Sequence, residues 1–169
     1  MIQLTTINPE GATEEEVLGY STRQAVRAVV LDGENNVALL HVSNENYYKL
    51  PGGGIEGSED RTAALKRECL EEIGSDIEVI GEVGSIVEYR KIFNLKQTSY
   101  CYLAKTIGQK GEPSYTQEEI EGGFGVLWLP YEEALSLLEK NVATSVEGKE
   151  YIVPRDSILL KNTKHLLIT

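Results

Sequence analysis

Apolar and polar residues keep two different periods along this chain, and the change of period marks its elements. "QAVRAVVLD" (24–32) is β-branched and apolar, "GENN" is turn chemistry, and "VALLHV" (37–42) follows, which predicts a hairpin. In the first of these strands Val26, Ala28 and Val30 share one face and Arg27 points to the other. "SEDRTAALKRECLEEIG" (58–74) switches to the helical period. Leu65, Cys69 and Ile73 recur every four positions, Ser58 is placed to cap the helix, and Gly74 ends it. Lys66 falls in the apolar sector and must reach out to solvent. "DIEVIGEVGSIVEYRK" and "KQTSYCYLAKTIG" predict long strands, "FGVLWLP" a shorter one, and "YEEALSLLEKN" a helix after Pro130. Residues 149–167 predict a last helix. The order β-β-α-β-β-β-α-α implies an α/β (α+β) arrangement, a mixed sheet with helices on its faces, in a single domain over residues 1–169.

Composition narrows the function classes. Of 169 residues 41% are hydrophobic, which supports a folded core. The net charge of -11, with no basic tract, disfavours a nucleic-acid backbone as partner. No apolar run approaches a membrane span, and "MIQLTTINPEG" lacks the pattern of a secretory signal, so a cytoplasmic location is the default. Cys69 and Cys101 belong to no C-x-x-C pair and are expected as small core residues. His41 and His165 have no partner pattern in the sequence.

The chemistry concentrates in "LPGGGIEGSEDRTAALKRECLEEIG" (50–74). At roughly 100° per residue, Glu68 and Glu72 stack on one side of the helix and Glu71 lies beside them. Like charges at that spacing repel and destabilise a helix. A hard divalent cation held by carboxylate oxygens would offset the cost, whereas a solvated acidic face would leave it standing. The "PGGG" turn fits the first reading, because glycines let backbone groups approach an ion and its phosphates.

Together these residues resemble the signature of the Nudix hydrolase (MutT-type) family, G-x5-E-x7-R-E-U-x-E-E-x-G-U, where U is bulky and apolar. Gly53, Glu59, Arg67, Glu68, Glu71, Glu72 and Gly74 meet every fixed position; Cys69 and Ser75 depart at the two U positions. The signature covers residues 53–75. The resemblance implies a three-layer α/β/α sandwich and a pyrophosphohydrolase that cuts a diphosphate bond in a nucleoside diphosphate linked to another moiety. An oxidised or non-standard nucleoside triphosphate is one candidate substrate. It implies Mg2+, with Mn2+ as the substitute, held by Glu68, Glu71, Glu72 and the Gly52 carbonyl. It implies also that Arg67 braces Glu59, and that a glutamate serves as general base. That base is either Glu68 on the helix or a loop glutamate, with Glu119 ahead of Glu118 and Glu121. Arg27, Lys49 and Arg90 are the candidates to meet phosphates of the substrate, and Tyr48 or its neighbour Tyr47 to stack on a base. A small nucleotide is the expected partner, and a homodimer is left open. The competing readings are a Nudix fold that binds a nucleotide as a sensor without cutting it, and, more weakly, an isomerase of isoprenoid diphosphates.

Overall fold

A computed structural model describes residues 1–167 of the chain. Its strands are β1 Gln3–Ile7, β2 Ser21–Leu31, β3 Val37–Val42, β4 Tyr47–Lys49, β5 Asp76–Arg90, β6 Leu95–Ile107 and β7 Phe124–Leu129. Its α-helices are α1 Glu14–Leu18, α2 Arg61–Ile73, α3 Gln117–Glu121, α4 Tyr131–Lys140 and α5 Val153–Leu167, the last entered through a π turn at Gly148–Ile152. One mixed sheet runs β1-β5-β6-β2-β3-β4, with β7 paired to β3. The β1–β5 and β2–β6 pairs are parallel and the rest are antiparallel.

The alternation along β2 places two cores on opposite faces. Val26, Ala28 and Val30 pack with Ala64, Leu65, Cys69 and Ile73 of α2. Val29 and Leu31 face the other way, against Ala134 and Leu138 of α4 and Leu159 and Leu160 of α5. The result is three layers, helix on sheet on helices. Both cysteines are buried in these cores.

Four elements go beyond the periodic reading. β1 is a short strand whose partner β5 lies far along the chain. α1 has five residues, none of them buried, and its main signature is the Thr13–Glu16 capping box. β4 has three residues, too few for a period, and α3 has five. The helix cap also differs from expectation. Asp60, not Ser58, caps α2 by accepting the Ala63 N–H at 2.8 Å. Glu59 is drawn aside to Arg67, and its carboxylate accepts the Glu56 N–H, so the helix begins two residues later than the sequence suggests.

One departure shapes the site. β2 and β3 adjoin only at their turn, at Leu31 and Val37. Below it the free edge of β2 takes the glycine-rich turn as partner. Ala28 N–H donates to Pro51 O, Val26 N–H to Gly53 O, and Ile55 N–H to Gln24 O, at 3.0, 2.9 and 3.0 Å. The "PGGG" turn is therefore held by a sheet edge along its length, and α2 is carried in beside it.

Candidate active site

Glu72 is 2% exposed and points from α2 into this turn. Its carboxylate accepts the Gly52 N–H at 2.6 Å and the Lys49 ammonium at 2.8 Å. Gly52 has φ +133, and a Cβ there would sit 2.2 Å from Val26 O, so only glycine fits against the β2 backbone. Gly53 is needed for a different reason. A Cβ on it would lie 2.3 Å from Glu68 Oε1, in the space the carboxylate occupies. Burial, and then the charge of Glu72, raise the Glu68 carboxyl above the ordinary carboxylate range.

Arg67 ties the parts together. It holds Glu59 with both prongs, Nε to Oε1 at 2.8 Å and Nη2 to Oε2 at 3.1 Å. The same guanidinium reaches Glu68 at 2.9 Å, Glu71 at 3.2 Å and the Gly54 carbonyl at 3.0 Å. Five acceptors shared by one guanidinium suit a fork and not a point charge. Arg67→Lys is therefore expected to lower kcat/KM by about tenfold with little loss of stability. Steady-state kinetics beside thermal melting checks this. Wild-type rates in both Arg67→Lys and Arg67→Ala would show that the brace is dispensable.

These residues border a cleft of about 570 Å³ lined by Lys49, Gly52, Gly53, Gly54, Glu68 and Glu72 on one side. Arg23, Arg27, Glu56, Glu118, Glu119, Glu147, Ile55 and Ile152 complete the wall. Glu118 and Glu119 thus come to the helix carboxylates from a distant loop. The Glu119 carboxylate also closes the capping box of α3 by accepting the Thr116 N–H at 2.7 Å. Glu121 is turned away and pairs with Gln117.

Two candidates for meeting the substrate are not among the residues that line this cleft. Tyr48 stacks on His41, ring centroids 4.6 Å apart, and packs toward the core under α4 and α5. Arg90 is 3% exposed and is committed to Glu88 and Glu147. Glu71 stands outside the cleft lining, its side chain 45% exposed and held by Arg67. Conversely Arg23, Glu56 and Glu147 line the cleft without having been singled out by the sequence. Only the alternation that puts Arg23 on the same face as Arg27 could have drawn attention to one of them.

A family model described as the NUDIX domain matches residues 21–150, most of the chain. This protein belongs to the Nudix family. Solved structures agree on the fold. A NUDIX hydrolase from Nitrosomonas europaea superposes with a TM-score of 0.66 at 13% identity, covering 86% of this chain and 90% of that one. A MutT protein from Methanosarcina mazei gives 0.61 at 13% identity, covering 94% and 100%. An ADP-ribose pyrophosphatase from Streptococcus suis gives 0.54 at 14% identity, covering 85% and 93%. No curated protein matches the sequence.

The Nudix residues fit a divalent cation in donor chemistry. Glu68 and Glu72 offer hard carboxylate oxygens in a buried setting, and among the described residues the Gly52 carbonyl accepts no hydrogen bond, while those of Pro51, Gly53 and Gly54 do. Among the described residues no three acidic or thiol or imidazole side chains yet converge on one point. The reason is visible: Arg67 draws Glu68 and Glu71 toward itself, and Lys49 supplies the positive charge beside Glu72.

Proposed function

We propose that this Nudix protein is a divalent-metal-dependent pyrophosphohydrolase that cleaves a diphosphate bond in a nucleoside diphosphate linked to another moiety. The observation that carries the reading is the pairing of buried Glu68 and Glu72 on the cleft wall formed by Gly52, Gly53 and Gly54. Lys49 and Arg67 each compensate one of these carboxylates, and an anionic diphosphate would need a further cation to approach them. Mg2+, or Mn2+ in its place, would be held by Glu68, Glu72, Glu71 and the Gly52 carbonyl, where it neutralises phosphate charge and lowers the pKa of a bound water.

The chain's own groups supply the rest. Lys49 and Arg23 line the cleft and would meet oxygens of that diphosphate. Arg67 fixes the direction of Glu68 and the turn by holding Glu59 and the Gly54 carbonyl. Glu119 is the proposed general base, with Glu118 as its neighbour on the same wall. Thr116 occupies one oxygen of the Glu119 carboxylate, Oε2, and the second oxygen is the one that would accept the proton. Glu119→Gln should lose rate and the acidic limb of the kcat/KM profile while keeping substrate affinity. Wild-type pH profiles in both Glu118→Gln and Glu119→Gln would transfer the base to Glu68. The cytoplasm is the proposed setting, in keeping with two buried free thiols.

The test is a panel of nucleoside triphosphates, nucleoside diphosphate sugars and dinucleotides, assayed for released phosphate groups with magnesium and with EDTA. Hydrolysis of at least one class, abolished by EDTA and restored by magnesium, is expected. Full activity without divalent ions would overturn the mechanism, and binding without any cleavage would favour a sensor.

A further inference from the structure

The sheet face under α4 and α5 changes character along its length. At one end its inward positions are apolar: Val29 and Leu31 on β2, Ile86 on β5, Cys101 and Leu103 on β6. At the other end the same alternating positions are polar: Arg23 and Arg27 on β2, Glu88 and Arg90 on β5, Gln97 and Ser99 on β6. Helix α5 adds Arg155 and Asp156 above them. Arg27, Glu88, Arg90, Gln97, Ser99, Arg155 and Asp156 are all buried.

The charges of this bay do not balance internally. Three buried guanidiniums, Arg27, Arg90 and Arg155, face two fully buried carboxylates, Glu88 and Asp156. Arg155 bonds Asp156 at 2.7 Å and lies 3.6 Å from Glu88, and Arg90 bonds Glu88 at 2.9 Å. Asp156 is further committed to the Leu50 N–H, and Glu88 to Gln97. Among the described residues Arg27 donates only to the Val26 carbonyl beside it. Burial, and next the charge of Arg155, pull its guanidinium down to about 10. The third carboxylate is Glu147, 46% exposed, with Oε1 2.5 Å from Arg90 Nη1. Among the described residues the Nε groups of Arg27 and Arg90 and Nη1 of Arg155 have no hydrogen-bond partner. Buried donors in native proteins are almost always paired. The bay is also open to the site, since Arg23, Arg27 and Glu147 all line the cleft.

We propose that this bay is an oxyanion subsite, which takes a phosphate group of the substrate other than the diphosphate that is cut. Arg27 and Arg90 are its donors, and Glu147 is the counter-charge that the phosphate displaces. Guanidinium forks recognise phosphate by paired hydrogen bonds as well as by charge. Glu147 is the carboxylate best placed to give way, because it is the one with access to solvent and stands on the cleft wall. Naming the phosphate as part of the substrate rests on the pyrophosphohydrolase reading; the anion site itself does not.

The experiment is a titration of the full chain with inorganic phosphate in EDTA, followed by calorimetry and by the arginine Nε–H resonances in NMR. The Arg27 and Arg90 resonances should move and saturate together. Glu147→Gln should tighten phosphate binding by about threefold or more, and Arg27→Gln should weaken it by about tenfold. With magnesium and a hydrolysed substrate, phosphate should then compete with that substrate. Resonances that stay still, or phosphate affinity unchanged in Glu147→Gln, would overturn the proposal even if Arg27→Gln fails to fold. Noncompetitive behaviour would also overturn it as a substrate subsite. Because no hydrolysis is needed for the titration, an inactive enzyme with an intact phosphate response would sink the proposed reaction and leave the bay standing.

Discussion

Glu72→Gln should lower kcat by at least ~10²-fold at saturating magnesium, equivalent to about 3 kcal/mol of transition-state stabilisation. Glu72 is the most deeply buried of the α2 glutamates, and it has two partners of different kinds. The amide keeps an oxygen for the Gly52 N–H, so the turn should hold its shape. It offers no charge to Lys49, whose side chain is 14% exposed and would then be left with an uncompensated ammonium. The variant should therefore lose rate first and stability second. Kinetics across a magnesium titration, with denaturant unfolding on the same sample, separates the two. A loss of less than about tenfold would move the leading carboxylate to Glu68 or Glu71.

Two neighbouring glycines should fail in opposite ways when changed to alanine. At Gly53 the new methyl meets the Glu68 carboxylate, with Oε1 at 2.3 Å and Cδ at 2.5 Å. That group is the end of a side chain and can swing aside. Stability should change by less than ~1 kcal/mol, while kcat falls about 10²-fold if Glu68 has the proposed metal-holding role, because its carboxylate is then misplaced. At Gly52 the methyl meets backbone, Val26 O at 2.2 Å and Arg27 Cα at 2.9 Å, from a φ of +133. Neither obstacle can rotate away, so the turn must leave the β2 edge. A cost of about 3 kcal/mol is expected, which for a chain of this length lowers Tm by roughly 6–12 °C. Melting and kcat measured together on both variants check the contrast. Equal loss of Tm in the two would mean that the Glu68 side chain has no room to move.

What could be read from the sequence follows the range of the forces involved. The alternation in 24–32 assigned Val26, Ala28 and Val30 to one core and Arg27 to the other face, because pleat geometry is local. The periodicity of α2 placed Leu65, Cys69 and Ile73 against the sheet for the same reason. The spacing of Glu59, Arg67, Glu68, Glu71 and Glu72 was legible as a unit, since all lie within one turn and one helix. Arg90 shows where such reading stops. From the sequence it is a basic residue at the end of a strand. Its partner Glu147 lies 57 positions away, and the sheet face they share is set by β5, β6 and α5 together. Tyr48 is similar, because a three-residue strand carries no period to say which side faces the cleft. The cap moved from Ser58 to Asp60 because a contact eight residues on, Glu59 with Arg67, outweighed a local preference.

The parallel union of β2 with β6 also sets a timetable. It runs the full length of β2, from Ser21 beside Leu95 to Leu31 beside Lys105. Arg23 and Gln97, which bond across it, are 74 positions apart. Closing so long a segment is entropically slow, and chains dominated by such pairings fold over roughly milliseconds to seconds. The glycine turn has no edge to dock on until that pairing exists, and helix α2, 13 residues long with like charges at i and i+4, needs the same sheet to pack on. During synthesis the acidic segment should therefore emerge well before its cleft does. A nascent chain stopped short of β6 would carry the whole signature and still have no site.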